Sequence, residues 1–297
     1  MNPKMKIALK RNAVGYLFLS PWLLGLIGLS AIPILASAYF SFTRYDMLTA
    51  PEWIGFENYR AMFEDQKWKN SMKVTLIYVF LGVPLQLIFA LSIAMMLNRG
   101  IRGLRIYRAI YYVPSLFGGS VAVALLWRQL FGGEGLVNVL LRQIGLQGYN
   151  WIASPDTALY TLIVLKVWQF GAPMVIFLAA LKQVPTELYE ASRIDGAGKW
   201  RQFKSITLPL ITPIVFFNLV MQTIQAFQAF TPAYIVSRGT GGPLDSTLFY
   251  TLYLYQKGFT HFQMGYAASM AWLLLLVIAF VTAMLFLSAR KWVYYQE

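Results

Sequence analysis

The sequence predicts an all-α integral membrane protein with six transmembrane helices, and three observations carry that expectation. Apolar residues make up 58% of the 297 residues and charged residues only 12%, about half the charged share of a soluble chain. The apolar residues gather into six runs of about 20 residues or more, enough at about 1.5 Å per helical residue to cross a hydrocarbon core about 30 Å thick. The excess of Lys and Arg between the runs falls on one side only. A soluble domain of this length needs more polar surface than such a composition supplies.

The expected spans are about 14–40, 74–97, 106–131, 158–181, 208–236 and 265–287, within one transmembrane domain covering residues 1–297. The first follows Lys4, Lys6, Lys10 and Arg11 and contains Ala36-Ser37-Ala38, the pattern of a signal peptide with its cleavage site. Its apolar run is about twice the length of a signal h-region, so an uncleaved span is expected. The connection over about 41–72 mixes charges with Trp53, Phe56, Tyr59, Phe63 and Trp68. That composition suits a short amphipathic helix at the outer interface or a cap on the bundle mouth. The second span is uncharged from Val74 to Leu97, and the third opens after a basic connection. Residues 132–157, with Gly132, Gly133 and Gly135, read as loop, and Gly239–Pro243 as a turn-rich break. Pro33, Pro84, Pro114, Pro173, Pro213 and Pro232 fall inside or near the ends of spans, where each removes one helical hydrogen bond and permits a kink.

Charge gives the sidedness. With the amino terminus inside, the inner segments hold Lys4, Lys6, Lys10, Arg11, Arg99, Arg102, Arg105, Arg108, Lys182, Arg193, Lys199, Arg201, Lys204, Arg290 and Lys291. Fifteen of the 25 Lys and Arg are therefore inside, against four of the twelve acids. The outer segments are neutral in sum, which is the positive-inside pattern and puts both termini in the cytoplasm. The net charge of +13 is thus membrane topology, with no nucleic-acid partner implied. With no cysteine there is no disulfide framework and no thiolate metal site.

No catalytic or metal centre is expected. No Gly-rich loop carries the Lys and Ser/Thr of a phosphate cradle, and His261 is the single histidine. Lys166 lies well inside the fourth span without an acid there. Intramembrane charge points to function by default, though snorkelling or hydrogen bonding within the bundle fits as well. None of the six spans holds Asp or Glu, which speaks against an ion-coupled secondary transporter of a small polar solute, the main alternative.

The connection over 182–209 is a helix–turn–helix on the inner side. Thr186 is placed to cap its first helix, with Glu187 in the first turn where the dipole favours an anion. Gly196 and Gly198 stop that helix, and Lys199–Ile206 can form a second before Pro209 opens the next span. Leu188, Ala191 and Asp195 share a face beside the small Ser192, so a partner's groove could approach the backbone closely.

Glu190-Ala191-Ser192, Asp195-Gly196-Ala197, Phe203, Ile206, Leu208-Pro209 and Pro213 resemble the EAA loop of bacterial ABC-importer permeases, with Ser192 in place of an alanine. Tyr16–Pro21 with Pro33, Trp53–Tyr59 and Gly241-Gly242-Pro243 with Thr247 extend the resemblance to the maltose and glycerol-3-phosphate permease family. The resemblance implies a type I importer fold with cytoplasmic coupling helices that dock into a separate ATPase subunit. Glu190 and Asp195 would then fix the docked helix, Ala191 and Gly196 allow close approach, and Phe203 anchor the second helix, with Ser192, Ala197, Leu208 and Pro209 in the same coupling set. It further implies a second permease, two ATPase subunits that bind ATP and Mg, and an extracytoplasmic solute-binding protein. This chain would bind no cofactor and catalyse nothing; it would import sugars or oligosaccharides across a bacterial or archaeal cell membrane.

On the fifth span Asn218, Gln222, Gln225 and Ala229 share one face, flanked by Gln228. Neutral amides with rings nearby suit a sugar's hydroxyls and C–H faces, and they also suit the joining of helices. The resemblance places sugar contacts in the spans on either side of the loop, which adds Trp168 and Gln169 of the fourth span.

Overall fold

The structure, a computed structural model, describes residues 15–100 and 103–294. Lys4, Lys6, Lys10, Arg11 and Arg102 of the inner charge set lie outside the described residues. The chain divides into two units, residues 1–64 with 257–274 and residues 65–256 with 275–297.

In the first unit, helix α1 (Gly15–Phe40) carries a π-helical turn over Leu26–Ala31 ahead of Pro33. None of its most apolar window is buried by the chain, as suits a helix facing lipid or another subunit. A two-stranded hairpin follows, β1 (Thr43–Arg44) antiparallel to β2 (Glu52–Trp53), with Thr43 opposite Trp53. The expected short helix of this connection is α2 (Glu57–Glu64). Asn58 ties it back by donating to the Ser41 and Thr43 carbonyls at 3.0 and 2.9 Å.

The second unit is built on α3 (Gln66–Leu97), which packs against the later helices over Pro155–Trp168, Gly171–Gln183, Lys199–Phe227 and Tyr250–Tyr255. It begins eight residues before the expected span. Asp65 accepts from the Lys67 and Trp68 amides at 2.9 and 3.3 Å and so caps the extra turns. Val74, Tyr78, Val79, Val83, Leu87, Ala90 and Ala94 form its buried stripe. Phe80, Leu85, Ile88 and Phe89 are apolar yet exposed, so the helix is hydrophobic all round, as lipid demands.

Two expected spans are broken. Residues 106–131 become α4 (Leu104–Phe117) and α5 (Val121–Leu130), bent by 99° at Gly118-Gly119-Ser120, where Ser120 caps α5. Residues 158–181 become α7 (Pro155–Trp168) and α8 (Gly171–Gln183), bent by 41°. Pro173 accounts for the second break, because its missing N–H leaves the carbonyl four residues back, at Gln169, without a helical donor.

Four further expectations are corrected. The stretch 132–157 contains α6 (Leu136–Gln143), nucleated around Asn138, whose side chain bonds the Gly132, Gly133 and Tyr149 carbonyls and accepts from Tyr149 and Trp151. Thr186 is the first residue of α9 (Thr186–Ile194), with Pro185 in the cap position. Pro209 does not open the fifth span, since α10 (Lys199–Phe227) runs through it. A π turn at Phe203–Thr207 widens the helix just ahead of the proline. Finally, α10 stops at Phe227, and 231–236 is a separate helix, α11 (Thr231–Val236). Pro232 explains this break, as its ring would meet the residue 228 carbonyl in a continuing helix. Helix α12 (Tyr250–Tyr255) and α13 (Met264–Trp292) complete the chain.

Candidate functional site: a coupling loop and an amide face

The 182–209 segment is short, polar and open. Helix α9 ends in a Schellman motif, with Gly196 left-handed at φ 74°. The Ala197 amide bonds the Ser192 carbonyl at 2.9 Å and the Gly196 amide bonds the Arg193 carbonyl at 3.0 Å. Only glycine adopts that φ without strain, so Gly196 sets the turn. Glu190, Ala191 and Asp195 are exposed, while Ser192 and Ala197 are half-buried. Phe203, Leu208 and Pro209 are also half-buried, and the Phe203 ring lies 5.5 Å from that of Trp200. Two large apolar side chains that the sequence did not single out stand in the open beside the acids: Ile194 is 88% exposed and Trp200 75%. Exposed apolar groups ringed by charge mark a surface for a protein partner.

The fifth-span amides separate into two kinds. Asn218 is buried and donates to the Ile214 carbonyl of its own helix at 3.2 Å. Gln222 is buried, whereas Gln225 and Gln228 are exposed. Among the described residues no hydrogen bond engages the Gln222, Gln225 or Gln228 side chains.

Trp168 is part-exposed, its ring 5.9 Å from that of Trp127. Gln169 is committed to the fold. Its Nε2 donates to the Gly118 carbonyl at 2.7 Å, at the break of the third span. Its own carbonyl, freed by Pro173, accepts from Gln86 Nε2 at 3.0 Å and Ser115 Oγ at 2.9 Å. Ser115 Oγ in turn accepts from the Ala172 amide at 2.9 Å. The two helix breaks are thereby fastened to each other. Gly118 and Gly171 permit the approach, because a Cβ at either would run into Gln169 or the Tyr111 carbonyl respectively. Gln86 and Ser115 carried no sequence signal, being single polar residues in apolar runs.

Lys166 is buried at 6% exposure. Its stem lies over Gly82, where a Cβ would sit 3.1 Å from Cδ, and its Nζ is 5.9 Å from the Tyr78 ring centroid. It pairs with no acid among the described residues. The side chain is held within the protein against α3, where an aromatic face supplies the electrostatic contact.

Residues 61–294 match the family described as binding-protein-dependent transport system inner membrane component. The chain is 52% identical over 290 residues to the probable ABC transporter permease protein YesP of Bacillus subtilis (strain 168), covering 97% of this chain and 94% of that protein. It is 31% identical over 274 residues to the probable starch degradation products transport system permease protein AmyD of Thermoanaerobacterium thermosulfurigenes, covering 92% of each. Among solved structures it is similar to a bacterial ABC transporter involved in the import of the acidic polysaccharide alginate. That likeness has a TM-score of 0.78 at 21% identity, over 97% of this chain and 99% of the other, and it is a likeness of fold.

Proposed function

The chain belongs to the family of inner membrane components of binding-protein-dependent transport systems, and on that premise we propose that it imports oligosaccharides and is driven through its 182–209 loop. It is a multi-pass permease subunit of an ABC importer, a translocation component. The observation that carries the coupling role is the exposed α9 with its turn. Glu190, Ala191, Asp195, Ile194 and Trp200 offer charge, small residues and apolar bulk to a partner on one short stretch. Its partners in this reading are a second permease, two ATPase subunits and an extracytoplasmic solute-binding protein, with ATP and Mg held by the ATPases. Both termini then face the cytoplasm, in keeping with the charge pattern.

For the path, Gln222, Gln225 and Gln228 are the side chains to assign, because among the described residues no hydrogen bond engages their amides. Asn218 and Gln169 serve backbone carbonyls instead. Neutral amides suit neutral hydroxylated solutes, and the AmyD relative is named for starch degradation products, so a starch-derived oligosaccharide is the probe of choice.

The test is copurification together with uptake. The detergent-solubilised wild type is expected to bring down its ATPase subunit, and Glu190→Lys with Asp195→Lys to lose both the subunit and uptake. Retained uptake in that double variant would sink the coupling role. Gln222→Ala and Gln225→Ala are expected to impair maltotriose uptake with assembly intact, and loss of assembly would make these amides helix-joining groups.

A further inference from the structure

Four polar side chains of the 182–209 segment form a ring of hydrogen bonds that docking to a partner does not require. Gln202 is buried at 8% exposure, although Arg201 before it is exposed. Its Nε2 donates to Ser192 Oγ at 2.9 Å and to the Tyr189 carbonyl at 3.4 Å. Ser192 Oγ donates to the same Tyr189 carbonyl at 2.9 Å. On the other side the Tyr189 hydroxyl meets Thr207 Oγ1 at 2.8 Å, and Thr207 Oγ1 donates to the Gln202 carbonyl at 3.5 Å. With Thr207 donating there, Tyr189 is the donor to Thr207, so the Ser192 and Thr207 hydroxyls each donate and accept within the ring and the Tyr189 hydroxyl donates.

Two members of the ring stand on α9 and two on the first turns of α10. The covalent connection between these helices runs through Gly196 and Gly198, residues that resist bending least. Between the ring members Gln202 and Thr207 runs the π turn at Phe203–Thr207, a helix irregularity of the kind found at functional sites and hinges.

We propose that Tyr189, Ser192, Gln202 and Thr207 act as a clasp that makes α9 and the start of α10 one rigid lever, so that a displacement of α9 by the ATPase passes into the fifth span instead of being absorbed at the glycine turn. The clasp rests on the coupling role proposed above. Its members are positioning residues: they touch neither solute nor nucleotide. Ser192 is the position where the loop departs from the alanine of the resembling pattern, and here its hydroxyl takes the Gln202 amide. Loss of Gln202 Nε2 removes two of the three bonds that cross the turn and leaves the one between Tyr189 and Thr207. Loss of the Ser192 hydroxyl leaves Gln202 its bond to the Tyr189 carbonyl, so the effects are graded.

The absence of cysteine from this chain allows it to be spin-labelled cleanly before assembly with its partners, at the exposed positions Arg193→Cys and Lys204→Cys, one on each side of the clasp. In the otherwise wild-type complex the inter-label distance is expected to be narrow and unchanged by ATP. With Gln202→Leu it should broaden and then shift when ATP is added, because α9 follows the ATPase and α10 lags. Ser192→Ala should give a smaller shift, and Ser192→Thr, which keeps the hydroxyl, should restore the wild-type distribution. Tyr189→Phe, which removes one hydroxyl alone, serves should Gln202→Leu fail to fold. Broadening without an ATP-dependent shift would make the ring a merely structural brace and overturn the clasp, as would a distance in the wild type that moves with ATP. Copurification of the ATPase separates the two failures. If the subunit is present and no shift appears, the clasp alone is wrong; if the wild type recruits no ATPase, the coupling role itself is wrong.

Discussion

Two hydrogen-bonded clusters of this chain are built from the same kinds of side chain and differ in what surrounds them. At the junction of the broken spans, Gln86, Ser115 and Gln169 serve backbone groups released by Pro173 and by the Gly118-Gly119 break. Around them are apolar helices and, outside those, lipid. In the clasp, Tyr189, Ser192, Gln202 and Thr207 bond mostly to one another, on a segment whose outer face is open to water. The difference concerns the alternative available to each group. A carbonyl deprived of its partner at the junction finds no water and pays the full desolvation penalty. A hydroxyl deprived of its partner in the loop is hydrated within a small motion. The junction should therefore register chiefly in stability, and the loop chiefly in coupling.

The largest effect is expected from Gly171→Val. Its side chain would press on the Tyr111 backbone carbonyl, which has no rotamer by which to withdraw, so α4 and α8 must separate. Overpacking of this kind costs about 1–3 kcal/mol, with the junction bonds weakened in addition. Thermal unfolding in detergent should show a clear drop in midpoint. An unchanged midpoint would mean that the helices are not held this closely.

Next comes Gln169→Leu, which leaves the Gly118 carbonyl unserved while keeping volume. Interhelical hydrogen bonds in membranes average about 0.6 kcal/mol and reach about 1.7 kcal/mol, so a loss of about 1 kcal/mol is expected in the same assay. The comparison is sharpened by Gln202→Leu, where the expected loss of stability is smaller, below about 1 kcal/mol, despite the same chemical change. Equal losses at both sites would break the distinction drawn from their surroundings.

The two clusters also differ in how far they could be read from the sequence. The loop was legible because its glycines, acids and prolines stand at fixed offsets, and Gly196 does stop α9, which it does in a left-handed turn. Gln202 was not, since it lies between the recognisable Asp195-Gly196-Ala197 and Phe203, where nothing distinguishes a buried amide from a solvated one. At the junction, run length indicated apolar segments and could not show that two of them bend. Pro173 signalled a kink, but its consequence, a free Gln169 carbonyl met by Gln86 from 83 residues away, depends on tertiary approach. The resemblance places Gln169 on the solute path, and no pattern in the sequence shows that its amide donates to the Gly118 carbonyl. Pattern reaches as far as groups that act within a few residues of each other.

The smallest effect is expected where the same kind of contact lies wholly in water, and it marks the lower end of the comparison. Arg142 meets Glu134 through two bonds, at 2.9 and 3.0 Å, with both side chains largely exposed. The Arg142 guanidinium, by hydrogen bond and by charge, holds the Glu134 carboxyl below the usual carboxylate range. A carboxyl whose pKa is lowered on folding adds stability that is present above its unfolded pKa and is lost as pH falls through its folded one. Arg142→Met should thus lower the unfolding midpoint slightly at neutral pH, and the gap to wild type should close on acidification below the ordinary carboxylate pKa. Exposed pairs contribute little because water and salt screen them, so added salt should narrow the same gap at neutral pH. A gap that persists unchanged in acid and in salt would assign the Arg142 contribution to its bond with the Gly133 carbonyl at 3.3 Å. Arg142 would then belong with the carbonyl-serving groups of the junction and stand apart from the surface charges.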